Sequence, residues 1–299
     1  MQIAAVRYTR GEMKPLVQIE GGEISARNAE EKERWLFTRL ADLPSLLIAL
    51  SGGIDSAYLA WAAHHVLGDR ALSVTAISAS YSAFDREQVE ILLRATGVRH
   101  EFIETHELEN PAYRANNSDR CYFCKDELFS ALDVIASKRR IAGVAYGVNA
   151  DDSHDFRPGQ RAAAEHRVLT PLLDADLHKV EIRFLARRAG VPLWDRPASA
   201  CLASRLPYGT EVTPERLELV EKGEAALRAL GFRQFRVRLH DTLARIELAP
   251  DELPRALTRE MAAAMTVALK KAGFAYVALD LEGYRQGSLN KTLAKSAGT

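Results

Sequence analysis

The sequence carries no excess charge of either sign, because its 299 residues include 40 lysines and arginines and 40 aspartates and glutamates. A neutral chain has no general attraction for phosphate backbones, which disfavours a nucleic-acid partner. No apolar run approaches the roughly 20 residues that cross a bilayer, and the first residues lack the basic start and apolar core of a signal peptide. We therefore expect a cytoplasmic protein with no membrane partner.

Cysteine is also scarce. The chain has three cysteines, and an odd number cannot form a complete set of disulfides. Reactive or metal-binding thiols are the better expectation in a cytoplasmic protein. Apolar residues at 47% and charged residues at 27% are ordinary globular proportions, which excludes a disordered or fibrous class.

Short apolar runs alternate with amphipathic stretches along the first two thirds of the chain. This alternation predicts an α/β fold with a Rossmann-like parallel sheet that is covered by helices on both faces. The predicted strands are 46–50, 71–78, 98–103, 141–148 and a short fifth strand at 191–194. The predicted helices are 30–43, 54–67, 84–96, 121–138 and 176–189.

The pattern changes after about Arg205, where a smaller α+β domain is predicted. Its elements are a helix at 214–230, strands at 235–239 and 243–248, a helical region at 251–272 and a last strand at 276–281. We therefore divide the chain into three parts. They are an unassigned extension at 1–29, which is either a tail or a small hairpin, a nucleotide-binding domain at 30–205, and a substrate-binding or oligomerisation domain at 206–299.

A glycine loop follows the first predicted strand and precedes a helix, which is where open α/β sheets bind ligands. Glycines let backbone N–H groups approach a phosphate, and the helix dipole adds to the attraction. The loop lacks the Gly-Lys-Ser/Thr of a Walker loop and has no GxGxxG. An ordinary turn explains two glycines but not the two serines and the aspartate. Because a phosphate would repel the aspartate unless a cation lay between them, the aspartate suits a magnesium-related role. The candidate ATP-binding residues here are Ser51, Gly52, Gly53, Asp55 and Ser56.

A second polar segment follows the fourth predicted strand, at the same edge of the sheet. Asparagine and aspartate at such a position can simply cap a turn. Two adjacent carboxylates and an amide at a ligand edge favour contacts with nucleotide or metal instead. The candidates are Gly147, Asn149, Asp151 and Asp152.

The cysteines form a C-x-x-C pair, Cys121 and Cys124, and a lone Cys201. Such a pair can be a zinc half-site, a redox pair or part of an iron–sulfur site. A structural zinc site would need a fourth ligand such as His154 or His166, which no spacing indicates. A [4Fe–4S] cluster with three cysteine ligands would leave one iron open to an exogenous sulfide.

The glycine loop resembles that of the PP-loop ATP pyrophosphatase superfamily, whose members transfer AMP from ATP to a substrate oxygen. Together with residues 119–125, 147–152 and 200–209, it resembles the LarE family of ATP-dependent sulfur transferases. The resemblance covers roughly residues 30–285. The Cys-Leu-Ala-Ser-Arg stretch that starts at Cys201 is its most discriminating part.

This resemblance implies a small-molecule substrate, pyridinium-3,5-biscarboxylic acid mononucleotide, on the route to the nickel-pincer cofactor of lactate racemase. The enzyme adenylates a ring carboxylate, and sulfur displaces AMP to give a thiocarboxylate. Members with one cysteine are thought to give up its sulfur, whereas members with three are thought to hold a [4Fe–4S] cluster. Cys121, Cys124 and Cys201 place this chain in the second type. The implied cofactors and partners are ATP, Mg²⁺, the cluster, a sulfide donor and further copies of the chain.

Five more residues enter as substrate-binding candidates through the resemblance. Arg236 and Arg238 lie two apart on a predicted strand, so they share a face. They are either a solvated edge or, as in the family, contacts to the substrate phosphate. Glu224 is either a helix-surface residue or the counterpart of a family glutamate. Ser204 and Arg205 follow Cys201 closely enough to hold the substrate.

Three other functions stay open on the sequence alone. Some PP-loop enzymes thiolate tRNA with three cysteines, but the neutral charge disfavours that reading. An amide-forming ligase that uses ammonia would leave the cysteines idle. A non-enzymatic nucleotide-binding regulator or metallochaperone partner would bind ATP without releasing pyrophosphate.

Overall fold

The structure is a computed structural model that describes residues 7–8, 15–19, 22–154 and 158–285. The strands are β1 (Arg7–Tyr8), β2 (Pro15–Ile19), β3 (Gly22–Ser25), β4 (Leu46–Ala49), β5 (Ala71–Ile77), β6 (His100–Glu104), β7 (Val144–Tyr146), β8 (Phe235–His240), β9 (Leu243–Leu248) and β10 (Tyr276–Leu279). The longer helices are α1 (Ala26–Ala41), α2 (Ile54–Leu67), α3 (Ala83–Thr96), α5 (Arg120–Arg139), α6 (Pro158–Glu165), α8 (Lys179–Arg188), α9 (Pro214–Ala229) and α11 (Arg259–Ala272). The short helices are α4 (Pro111–Arg114), α7 (Pro171–Asp174) and α10 (Leu253–Ala256).

The chain divides into two compact units. The first consists of residues 1–77, 83–105 and 125–198, and the second of 78–82, 106–124 and 199–299. Among the described residues, no helix is both long and apolar enough to cross a membrane. The domain roles inferred from the sequence stay predictions.

The first unit is built on a four-stranded sheet in the order β6-β5-β4-β7, and every neighbouring pair is parallel. This confirms the predicted α/β class. Leu46, Leu47 and Ile48 are fully buried in the central strand β4, as expected for a sheet that is covered on both faces. Helix α2 has the predicted bounds, and its buried residues include a run from Ala57 to Ala60.

The predicted fifth strand at 191–194 is wrong, because the segment forms turns. Pro192 cannot donate a ladder hydrogen bond, and Leu193 has a φ of 75°, outside the strand region. Ahead of it, α8 begins at Lys179 rather than at the predicted residue 176. At the N-terminus, the described residues form an antiparallel sheet in the order β1-β2-β3, which matches the hairpin alternative.

The second unit has a smaller mixed sheet in the order β10-β9-β8. Strands β8 and β9 are antiparallel, whereas β10 runs parallel to β9. The predicted helical region at 251–272 is split into α10 and α11, because Thr258 caps a new helix by accepting from the N–H of Met261. The helices α9 and α11 pack with the inward residues of the sheet, among them Val237 and Ile246, in an apolar core.

Candidate active site

The glycine loop lies where the sequence places it, between β4 and the first turn of α2. Gly52 has a φ of 83°, which is a backbone conformation that favours glycine. Ser56 Oγ accepts from Ser51 N at 3.1 Å and donates to Gly53 O at 3.0 Å, so the serines close the loop on itself. Gly53 is the N-cap of α2 and offers no side-chain cap. The first-turn N–H groups of α2 are thus not satisfied by a capping side chain, which suits an anion.

Asp55 lies in the first turn of α2 and has a cationic neighbour that the sequence did not reveal. Lys179 Nζ donates to Asp55 Oδ2 at 2.6 Å, across 124 residues of sequence. The other carboxylate oxygen, Oδ1, is buried and has no hydrogen-bonding partner among the described residues. An orphaned carboxylate oxygen next to a phosphate-type loop suits a bound cation or a donor from a ligand.

A second cation, Arg196, contacts the backbone of the glycine loop, and the sequence did not reveal this contact. Arg196 is 8% exposed, and its Nη1 donates to Gly52 O at 2.5 Å. Its Nη2 forms an ion pair with the buried Asp85. Because a buried, paired guanidinium holds the loop carbonyl, Arg196 orients the glycine loop, and removing it would leave Asp85 buried without its counter-charge.

The 147–152 segment lies directly against this loop. A Cβ on Gly147 would sit 2.6 Å from Ser56 N and 2.9 Å from Asp55 C. Only glycine therefore allows the end of β7 to pass the start of α2. Asn149 is fully buried, and its Oδ1 accepts from Asp151 N at 2.9 Å, whereas its Nδ2 has no partner among the described residues. That orphaned donor points to a ligand acceptor.

The two aspartates of the segment have structural partners. Asp151 accepts from His178 Nδ1 at 2.6 Å and from Lys179 N at 2.8 Å. Burial opposes ionisation, but these hydrogen bonds prevail and lower the pKa of Asp151. Asp152 Oδ2 accepts from Asn149 N at 3.2 Å. The turn reading of the sequence thus accounts for part of this segment, and a nucleotide role for the aspartates stays a prediction.

The three cysteines all belong to the second unit, and none forms a disulfide. Cys121 and Cys124 lie in the first turns of α5, and Cys201 precedes a 3₁₀ turn at Leu202–Arg205. Cys121 is exposed, and the other two are half-buried. The fold therefore brings the C-x-x-C pair and the lone cysteine into one compact unit.

A buried latch, which we define as Asn116 and Arg120, ties the two cysteine segments together. Arg120 Nη1 donates to the Asn116 side chain and, at 2.9 Å, to Ala203 O. Asn116 Nδ2 donates to Pro207 O at 2.8 Å and to Thr210 O at 2.9 Å. Burial lowers the pKa of Arg120, but the nearby Cys201 and Cys121 sulfurs outweigh it and raise the pKa overall. A cation at this position favours thiolate chemistry.

The side chains available as metal ligands differ in how well they suit a zinc ion and an iron–sulfur cluster. Among the described residues, no group of three or more His, Cys, Asp or Glu side chains could hold a single metal ion. His166 is bonded to Asp133 at 2.6 Å and to Asp126 at 3.1 Å in the first unit, and the His154 side chain lies outside the described residues. The zinc reading thus gains no support. The cysteines of a [4Fe–4S] cluster each bind a different iron. Three thiols in one compact unit supply ligands of that chemical type, and a cluster at them stays a prediction.

Glu224 is 6% exposed, so the helix-surface alternative is wrong. Its carboxylate is engaged by Arg205 through two bonds, Nε to Oε1 at 2.6 Å and Nη2 to Oε2 at 3.0 Å. Arg205 Nη1 also donates to Ser204 Oγ at 2.8 Å, and that hydroxyl donates to Cys201 O at 2.7 Å. These predicted substrate residues thus form one hydrogen-bonded group around the backbone of Cys201.

Arg236 and Arg238 are 8% and 6% exposed, which excludes the solvated-edge alternative. Arg238 donates to Ser204 O at 2.6 Å and pairs with Glu247 at 2.9 Å. Arg236 lies over the Tyr284 ring at 4.9 Å. Burial, together with the nearby positive charge of Arg205, lowers the pKa of Arg236 to about 10. A buried guanidinium crowded by another cation is stabilised by an anion such as phosphate.

The fold and the loop together define the class of protein. The sheet is parallel, and its strand β4 leads through Ser-Gly-Gly-x-Asp-Ser into helix α2, which is consistent with the PP-loop fold. No family model matches the chain. It is 34% identical to the pyridinium-3,5-bisthiocarboxylic acid mononucleotide synthase of Lactiplantibacillus plantarum over 266 residues. These residues are 89% of this chain and 96% of that protein. It is 42% identical to an uncharacterised protein of Synechocystis sp. over 254 residues, and these residues are 85% of this chain and 95% of that protein.

A third relative, an uncharacterised protein of Methanocaldococcus jannaschii, is 31% identical over 170 residues, which is 57% of this chain and 66% of that protein. The match to the synthase extends over nearly the whole length of both chains. The chain therefore belongs to the LarE family, of which that synthase is a member.

Proposed function

We propose that the protein is an ATP-dependent sulfur transferase. Its substrate is pyridinium-3,5-biscarboxylic acid mononucleotide, and its product is the corresponding thiocarboxylate in nickel-pincer nucleotide biosynthesis. The observation that carries the proposal is that the two cysteine segments, which Arg120 joins, share one unit with the buried arginines, in a chain related to the synthase over its length. A PP-loop alone is equally compatible with amide formation.

The first step of the proposal is adenylation. A ring carboxylate oxygen attacks the α-phosphorus of ATP, and pyrophosphate leaves. The uncapped N–H groups at the start of α2 stabilise the charge on the departing pyrophosphate. Asp55 and its neighbour Lys179 supply the carboxylate for Mg²⁺ and a cation for phosphate oxygens. Asn149 supplies the orphaned Nδ2 donor.

The second step is sulfur transfer. A sulfur nucleophile attacks the acyl-adenylate carbon, and AMP leaves with the bonding electrons, which gives the thiocarboxylate. Arg236 and Arg238 bind the substrate phosphate, while Arg205 and Ser204 orient the Cys201 segment. When bound at Cys121, Cys124 and Cys201, a [4Fe–4S] cluster would supply sulfide at an iron that has no protein ligand. A sulfide donor, a homo-oligomeric state and a cytoplasmic location stay predictions.

The test is turnover with defined components. Anaerobically purified protein is incubated with the mononucleotide, ATP, Mg²⁺ and sulfide, and pyrophosphate release and thiocarboxylate formation are followed separately. We expect both, with release dependent on the mononucleotide. Amide formation with ammonia in place of thiocarboxylate formation would refute sulfur transfer, and thiocarboxylate formation that survives replacement of all three cysteines with alanine would refute the role of the cysteines.

The source of the sulfur needs its own measurement. Iron and sulfide analysis of the anaerobic protein tests the cluster, and we expect both elements at about four per chain. Intact mass after turnover tests Cys201. Loss of about one H₂S from that residue would show that the cysteine gives up its own sulfur, whereas an unchanged mass supports the cluster route.

A further inference from the structure

The carbonyl of Leu50, the last residue before the glycine loop, is bonded by a side chain of the neighbouring strand β5. The ladder between β4 and β5 has its last pair at Ala49 and Val74, and Leu50 N still donates to Val74 O at 2.8 Å. Leu50 O accepts from the hydroxyl of Thr75 at 2.7 Å. Thr75 is 1% exposed, so this bond is shielded from water. The chain therefore leaves the sheet for the loop at a point that Thr75 holds.

A histidine on β6, the strand on the other side of β5, extends this contact. His100 Nε2 lies 2.8 Å from Thr75 Oγ1. A hydroxyl has one proton and a carbonyl oxygen can only accept, so the proton of Thr75 points to Leu50 O, and its oxygen accepts from His100 Nε2–H. Burial lowers the pKa of His100 to about 4. The ring is therefore neutral at physiological pH, and it carries its one N–H on Nε2.

The contact reaches into the loop through one peptide group. Leu50 O and Ser51 N belong to the same planar unit, so a donor that fixes the carbonyl also fixes the direction of the N–H. Ser51 N donates to Ser56 Oγ at 3.1 Å, and that hydroxyl donates to Gly53 O at 3.0 Å. Buried hydrogen bonds that follow one another in this way polarise and strengthen each other. The row of bonds thus runs from the histidine into the backbone of the glycine loop.

We propose that Thr75 and His100 are positioning residues that hold the glycine loop in its ATP-binding shape, because they fix the peptide group with which the loop begins. This inference rests on the proposed function. Both residues act through the backbone of the loop and form no bond with the nucleotide. Without the Thr75 donor, the peptide group is free to turn, and Ser56 loses the N–H of Ser51. ATP then binds only the fraction of molecules whose loop is in place, which weakens the apparent affinity.

The test is a calorimetric titration of Thr75→Val with Mg²⁺-ATP, since valine has nearly the shape of threonine but no hydroxyl. The matched control is Thr96→Val, because Thr96 Oγ1 also donates to a leucine carbonyl at 2.7 Å, within α3. We expect affinity about tenfold weaker in Thr75→Val, as for the loss of a buried hydrogen bond. Thr96→Val should bind like the wild type, and Thr75→Ser, which keeps the hydroxyl, should restore most of the affinity. Wild-type affinity in Thr75→Val would overturn the proposal, and so would an equal loss in Thr96→Val.

A second measurement determines the direction of the bonds. Nitrogen-15 NMR of histidine-labelled protein shows which ring nitrogen carries the proton, and the signal that disappears in His100→Gln is that of His100. We expect a protonated Nε2 and an unprotonated Nδ1. A proton on Nδ1 would make Nε2 an acceptor, so that Thr75 would donate to the ring and not to Leu50 O, and the proposal would be overturned. If the wild type binds no Mg²⁺-ATP, the proposed function itself fails, whereas equal affinity in the wild type and Thr75→Val refutes only the positioning role.

Discussion

Gly147 offers a direct test of the idea that the 147–152 segment holds the glycine loop in place. In Gly147→Ala, the new Cβ would lie 2.6 Å from Ser56 N and 2.8 Å from Ser56 Cα. Both are backbone atoms in the first turn of α2, so no side chain can rotate away. Since carbon atoms in contact prefer about 3.5–4.0 Å, the strand end and the helix start must separate by roughly 1 Å.

The expected effect of Gly147→Ala on stability is smaller than its effect on the reaction rate. Overpacking of this kind costs about 1–3 kcal/mol, and in a domain of this size each kcal/mol lowers the melting temperature by about 2–4 °C. A displacement of about 1 Å at a catalytic group can cost on the order of 100-fold in rate. We therefore expect a folded variant with a modestly lower melting temperature and a loss of pyrophosphate release on the order of 100-fold.

Calorimetric titration with Mg²⁺-ATP provides a readout that needs no acceptor substrate, and we expect affinity at least tenfold weaker in Gly147→Ala. Gly143→Ala is the matched control on the other side of β7. Its Cβ would meet side-chain atoms of two leucines, Leu169 Cδ1 at 3.1 Å and Leu46 Cδ1 at 3.8 Å, and no backbone of the glycine loop, so nucleotide affinity should be retained. If Gly147→Ala binds ATP and releases pyrophosphate like the wild type, the steric reasoning is refuted.

Three other predictions concern buried or paired charges. Lys179→Met should weaken Mg²⁺-ATP binding about tenfold, as for other charged hydrogen bonds, because Asp55 loses its cation; Lys179→Arg should retain most of the affinity in the same titration. Glu224→Ala should lower the free energy of unfolding by about 3–5 kcal/mol in urea, since it strands the buried Arg205; an unchanged urea midpoint would contradict this. Hydrogen bonds with two aspartates raise the pKa of His166 above 6.5, so its stabilising contribution is complete below pH 6.5 and is lost as the pH rises through the folded-state pKa. Urea unfolding of His166→Asn should lack that decline, and the same slope in wild type and variant would count against it.

The elements that the sequence predicts well are those that local pattern determines. Helix α2 has its predicted bounds because a glycine loop precedes it and apolar residues continue through it to Gly68. The face shared by Arg236 and Arg238 follows from the two-residue period of a strand. Their burial does not follow from that period, because it depends on packing against elements that a strand pattern does not specify.

The site residues that the sequence did not reveal depend on partners far away in the chain. Lys179 reaches Asp55 across 124 residues, and Arg196 reaches Gly52 across 144. No spacing rule encodes such pairs, and a lysine at a helix start looks like any solvated charge. The orphaned Nδ2 donor of Asn149 is harder still to predict, because it is defined by a missing partner among the described residues. A sequence motif identifies the residues that meet a ligand first, whereas an unsatisfied buried group can be recognised only when its surroundings are known. Groups of this kind therefore indicate where ligand contacts beyond the motifs should be sought.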